Sequence, residues 1–129
     1  MADCPFCAKV SSADVSAGAN SGAVTFEDGF PVAAGHTLVV PREHVTRLED
    51  LDRASWAEVF RLVHEVVVRL SGTDGVDGVN IGVNSGPAAG QTIDHAHVHV
   101  IPRRHGDVPD PRGGVRWVIP ENADYWSGR

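Results

Sequence analysis

The chain has 129 residues, 42% of them apolar and 22% charged, a balance that suits one globular domain over residues 1–129 and excludes disorder throughout. Eleven lysines and arginines against 17 aspartates and glutamates leave a net charge of −6. That argues against a protein that coats duplex nucleic acid, yet allows a nucleotide in a local pocket.

No apolar run approaches the roughly 20 residues that span a bilayer. Met1-Ala2-Asp3-Cys4 lacks the basic and apolar parts of a signal peptide, so the expected location is the cytoplasm. The two cysteines, Cys4 and Cys7, stand as Cys-Pro-Phe-Cys, a spacing that suits a metal knuckle or a redox pair. A thioredoxin-type pair would want a strand before it, and only three residues precede Cys4. Residues 8–22 are rich in Ala, Ser and Gly without periodicity, and no regular element is expected there.

Ala23 to Glu27 reads as a short strand closed by the turn signal Asp28-Gly29. Thr37 to Val40 reads as a second strand ended by Pro41, and the loop between them delivers His36 at its mouth. Thr46-Arg47-Leu48-Glu49 has the pattern of a capping box, with Asp52 as a second candidate cap. Trp56, Val59, Phe60, Val63, Val67 and Leu70 then recur every three or four residues, which predicts one amphipathic helix ending at Ser71-Gly72. His64 on that helix is expected at the surface or its boundary.

Gly78 to Asn84 reads as a strand, followed by a glycine-rich loop, Ser85 to Gln91, and then a histidine-bearing strand from Asp94 to Pro102. The pair suggests an antiparallel hairpin, and Val115 to Ile119 in the tail suggests one more strand. Strands on both sides of one long helix predict an α+β fold with an antiparallel sheet.

His95, His97 and His99 alternate with Ala96, Val98 and Val100. In a strand the three imidazoles would share one face, about 6.8 Å apart, while the apolar residues face a core. Neutral histidine near pH 7 serves as nucleophile, proton carrier or metal ligand, so this stretch is the candidate reaction centre. Backbone N–H groups of the preceding loop can cradle phosphate oxygens, and Asn84 and Gln91 add neutral donors. A phosphate held there would lie within reach of an imidazole. Metal binding is the competing chemistry, with His36, Asp94 or His105 as further ligands.

The segments Gly82-Val83-Asn84-Ser85-Gly86, Ala89-Gly90-Gln91-Thr92 and His95-Ala96-His97-Val98-His99-Val100-Ile101-Pro102-Arg103 closely resemble the histidine-triad family. Gly35-His36-Thr37-Leu38-Val39-Val40-Pro41 with Arg42-Glu43-His44 matches the family's other shared segment, and the resemblance spans roughly residues 4–106. Gly86 to Thr92 and Arg103 to Asp107 look most like the fragile-histidine-triad branch. Cys-x-x-Cys resembles the bacterial members that carry zinc.

The resemblance implies an antiparallel sheet with helices that pairs with a second copy into a continuous sheet across a homodimer. It implies cleavage at the α-phosphate of a dinucleoside polyphosphate or nucleoside phosphoramidate, with a purine nucleotide as the bound partner. By this mapping His97 is the nucleophile that becomes nucleotidylated, and His99 hydrogen-bonds the α-phosphate or bridging oxygen. His36 supports the imidazole network and Thr92 assists the leaving group. Asn84, Gly90 and Gln91 hold phosphate oxygens, and Asp28 lies where the family binds the ribose hydroxyls. Cys4, Cys7, His44 and His95 would bind a structural Zn2+ as a closed four-ligand site.

Two alternatives stand beside this reading: a nucleotide-binding regulator whose hydrolysis is incidental, and a metal-dependent hydrolase using the histidine row. The segment Ala8 to Gly22, poor in apolar residues, departs from the family's usual first strand, so residues 1–22 are expected as a zinc knuckle and irregular segment. The tail, residues 107–129, also departs from the fragile-histidine branch. Its Trp117 and Trp126 are candidates for stacking on a base or for burial in the core or dimer.

Overall fold

A computed structural model describes residues 3–12 and 18–128; positions 13–17 of the segment expected to be irregular lie outside the described residues. Four strands form an antiparallel sheet: β1 (Ala23–Glu27), β2 (Thr37–Pro41), β3 (Gly78–Gly82) and β4 (Val98–Arg103), in the spatial order β1-β2-β4-β3. One short and one long helix, α1 (Pro5–Ser11) and α2 (Arg53–Ser71), complete the described regular elements apart from 3-10 turns. The α+β expectation therefore holds.

The register explains how the sheet is filled. Val39 pairs with Val98, and Ile81 with Val100, so successive side chains go to opposite faces. One face meets α2: Ala23, Val39, Val98 and Val100 pack with Val59, Leu62, Val63, Val66 and Leu70 in a single buried cluster. On the other face Val24, Phe26, Leu38 and Val40 form a second cluster, closed by Phe6 and Val10 of α1. Cover on both sides explains why β1 and β2 read as nearly continuous apolar runs, not as alternating ones.

α2 begins at the second candidate cap. Asp52 accepts a hydrogen bond from the Ser55 N–H (2.8 Å), whereas the stretch after Thr46 forms only a 3-10 turn, Leu48–Asp50. That turn breaks at Leu51, which drops into the core, so a helix started at Thr46 could not run on. His64 is exposed, as expected. Trp56, expected on the apolar stripe, is 42% exposed and stacks at a tilt on Phe60 (5.3 Å), while Leu62 and Val66 supply the core.

Three other expectations are corrected. α1 is helical where nothing regular was expected, because Cys4 caps it through the Cys7 N–H and Phe6 and Val10 give it an apolar side. β3 stops at Gly82, and β4 starts only at Val98. The supposed tail strand is a 3-10 turn, Gly114–Val118. Gly113 and Gly114 both adopt positive φ, and the Arg116 guanidinium hydrogen-bonds the Ala123 and Asn122 carbonyls, folding the tail on itself. Among the described residues, no helix is long and apolar enough to cross a membrane.

Candidate active site

The three histidines do not form one row on a strand. His95 sits in a bend, His97 just before β4 and His99 within it, paired with Gly82 of β3 and Leu38 of β2. The rings of His97 and His99 are 5.0 Å apart and nearly edge-on, closer than strand spacing gives. The irregular backbone divides the histidines between two sites.

Backbone partners assign the protons of His95, His97 and His36, and through His36 that of His99, because a carbonyl can only accept and an N–H can only donate. His97 lies 2.8 Å through Nδ1 from the His95 carbonyl, so Nδ1 carries the hydrogen and Nε2 the lone pair. His95 lies 2.9 Å through Nε2 from the Pro41 carbonyl, which leaves its Nδ1 as the lone-pair nitrogen. The Val32 N–H donates to Nδ1 of His36 (3.1 Å), so His36 holds its hydrogen on Nε2. That Nε2 donates to Nδ1 of His99 (2.9 Å), and the hydrogen of His99 therefore sits on its Nε2.

Electrostatics agree with neutral rings at His36 and His99. Burial pushes the pKa of His36 down, opposed by the nearby Asp28 carboxylate. Burial lowers His99 as well, reinforced by His97 and His36. One carboxylate oxygen of Asp28 faces His36 Nε2 at 3.5 Å and His99 Nδ1 at 3.9 Å, and the other accepts the Phe30 N–H.

These groups border a cavity of about 550 Å³, a size that suits a small organic ligand. Asp28, His36, Asn84, Thr92, His97 and His99 all line it, so six of the residues singled out in the sequence come together. Its apolar part is made by Phe6, Phe26, Phe30, Val32, Leu38 and Ile93. Phe30 (92% exposed) and Val32 (72%) stand at its open side.

Gly90 and Gln91 are not brought into that lining. The Gln91 amide holds the loop instead: its oxygen accepts the Gly86 N–H, and its nitrogen donates to the Thr46 and Ile93 carbonyls. Trp117 and Trp126 pack against each other in the tail, 6.5 Å apart. Phe6 and Lys9 line the cavity without having been singled out. The signal for Phe6 was its place between two cysteines that share a cluster with a residue of the histidine stretch.

That cluster is the second site. Ligand atoms of Cys4, Cys7, His44 and His95 all lie within 4.8 Å of one another. His95 Nδ1 is 3.4 Å from Cys4 Sγ and 3.6 Å from Cys7 Sγ, and His44 Nδ1 is 3.2 Å from Cys7 Sγ. Tetrahedral zinc, with its usual bond lengths, spaces neighbouring S and N ligands by about 3.6 Å, so the donor set fits the ion. Partial burial and the facing Cys4 raise the Cys7 pKa, a penalty that a shared cation removes. The Asp28, His36 and His99 ligand atoms also fall within 4.8 Å of one another.

Comparison with known proteins identifies the family. The HIT domain family model matches residues 12–106. An uncharacterized HIT-like protein of Mycoplasma genitalium is 36% identical over 102 residues, covering 78% of this chain and 72% of the relative. The asymmetrical bis(5'-nucleosyl)-tetraphosphatase of Schizosaccharomyces pombe is 39% identical over 77 residues, covering 60% of this chain and 42% of that enzyme. Among solved structures, a Zn-bound histidine triad family protein from Mycobacterium smegmatis superposes with a TM-score of 0.70 at 35% identity, covering 84% of this chain and 85% of that one. The chain belongs to the histidine-triad (HIT) family.

Proposed function

We propose that this protein cleaves at the α-phosphate of a nucleotide through a covalent nucleotidyl-histidine on His97. The observation that carries the reading is the bond from His97 Nδ1 to the His95 carbonyl, which leaves Nε2 as a lone pair on a ring lining the cavity. In the first step Nε2 attacks phosphorus, the bond from phosphorus to the bridging oxygen or amine nitrogen breaks, and its electron pair leaves with that group, an amine nitrogen taking a proton from solvent as it departs. The ring becomes cationic, and the carbonyl at Nδ1 stabilises the charge that develops. In the second step water adds to phosphorus, the P–N bond breaks and its electron pair returns to Nε2. The proton lost by water goes to solvent.

His99 presents an N–H at Nε2 because His36 occupies its Nδ1, so it is suited to donate to a phosphate oxygen. Asn84 and Thr92 border the same space and are proposed to hold a phosphate oxygen and to assist the leaving group. The apolar walls suit a flat purine base, with Asp28 near its ribose. Dinucleoside polyphosphates are the first substrate class and nucleoside phosphoramidates the second. Gly90 and Gln91 serve the phosphate indirectly, by fixing the loop that carries Thr92.

We also propose that Cys4, Cys7, His44 and His95 hold a structural zinc, which closes the site to water with four protein ligands. β3 is an edge strand with Ile81 43% exposed, and it is the edge we propose for pairing with a second copy. Metal-dependent hydrolysis at Asp28, His36 and His99 is disfavoured by a specific contact. The Val32 N–H on His36 Nδ1 keeps the hydrogen on Nε2, the nitrogen that would have to bind the ion. The reading is tested by steady-state hydrolysis of diadenosine polyphosphate and an adenylyl phosphoramidate. We expect turnover in the wild type, loss in His97→Asn, and AMP binding retained in both. Full turnover by His97→Asn overturns it.

A further inference from the structure

α1 has an unusual combination of neighbours. It is seven residues long, and none of its residues is fully buried. A helix of that length is not stable alone, and Phe6 and Val10 give it only partly buried apolar contacts. Its first turn, however, is tied at both cysteines. Cys4 caps the helix through the Cys7 N–H at 3.3 Å, and both thiols face the lone-pair nitrogen of His95.

The same short helix walls the cavity. Pro5, Phe6 and Lys9 all line it. The Phe6 ring stands edge-on to His97, 5.0 Å between centroids at 83°, and meets Phe26 at 5.4 Å. Lys9, one turn on, places its ammonium 5.8 Å over the Phe26 ring. Phe6 thus lies between the two cysteines in sequence and against the proposed nucleophile in space.

We infer that metal binding at Cys4, Cys7, His44 and His95 controls nucleotide affinity, because it fixes α1 so that Phe6 and Lys9 form the wall of the base-binding cavity and Phe6 steadies the His97 ring. Phe6 is in this role a positioning and specificity residue, and the metal acts through α1, with Phe6 carrying most of the effect. The inference rests on the proposed nucleotide reading of the cavity. Loss of metal loosens α1, opens that wall and frees the His97 ring, while β2 and β4, together with His36 and His99, stay in place.

The test uses AMP as the probe, with zinc-loaded protein and protein stripped by chelator under a thiol reductant. Titration calorimetry reads affinity, and hydrogen exchange reads residues 5–11 separately from β2 and β4. We expect stripping to speed exchange in α1 alone and to weaken AMP binding by about five- to tenfold, the scale of one aromatic contact. Zinc-loaded Phe6→Ala should lose a similar factor, and stripping that variant should add less than about twofold, since both changes remove one wall. Phe6→Leu, which keeps bulk, should fall between. Unchanged affinity on stripping overturns the inference, as does loss of β2 and β4 protection, because the metal would then hold the whole fold. AMP binding to no form overturns the nucleotide reading itself.

Discussion

Nε2 of His36 lies 2.9 Å from Nδ1 of His99, and this one bond fixes which nitrogen of His99 carries its hydrogen. The direction of the bond is set from outside the pair, by the Val32 N–H on the far nitrogen of His36. The loop before β2 therefore governs the chemistry of a residue on β4. His36→Phe keeps a ring of similar shape and removes the donor. We expect turnover to fall about one to two orders of magnitude, the cost of losing one buried hydrogen bond, with nucleotide affinity changed far less. A loss seen only as weaker binding would assign His36 to substrate contact instead.

The same pair makes stability depend on pH. His36 and His99 both have folded pKa values below the ordinary 6.5. Above that value both states hold neutral rings and the full stability is present. As pH falls below it, the unfolded chain takes up protons that the folded chain does not, so stability declines until the buried rings themselves protonate. We expect urea midpoints to be flat from pH 8 to about pH 6.5 and to drop below it. His36→Phe should show a shallower drop over the same range.

Gly86, at the start of the glycine-rich loop, holds φ at 94°, and a Cβ there would lie 2.9 Å from the Arg47 guanidinium carbon. Gly86→Ala combines backbone strain with displacement of that side chain. We expect a loss of about 1–3 kcal/mol in denaturant unfolding. Turnover should also fall, because the Gly86 N–H anchors the Gln91 amide that holds the loop.

Leu62 is 1% exposed and sits where α2 meets the sheet. Leu62→Ala should cost about 2–5 kcal/mol by cavity formation while leaving the site residues untouched. Nucleotide affinity below the unfolding transition should match the wild type. A weakened site in folded protein would show that α2 packing sets the geometry of β4.

Much of this was legible in the sequence because two periodicities survive folding. The 3–4 spacing over 53–71 became α2, and the alternation of Val98, His99 and Val100 put imidazole and core on opposite faces. The four residues of the Cys–His cluster and the six cavity residues were named as sets by the resemblance to the histidine-triad family, while Cys4, Cys7 and the histidine stretch also stand out by spacing. What was illegible depended on contacts distant in sequence. α1 exists through its cysteine cap and its packing on β1 and β2, which local composition does not encode. Val115 to Ile119 has the β-branched and aromatic composition of a strand, but two positive-φ glycines and the Arg116 bonds fold it into a turn. Gln91 looked like a phosphate ligand because its amide is a free donor in the sequence; in the fold, loop carbonyls claim it.

The central claim is that His97 takes the nucleotidyl group. Its most direct test is intact-protein mass spectrometry after rapid mixing and acid-free quench with diadenosine polyphosphate, with His97→Asn in parallel. We expect an added adenylyl mass on the wild type that maps to His97 and disappears on chase, and none on the variant. Hydrolysis with no adduct at any quench time, or an adduct that persists in His97→Asn, would contradict it.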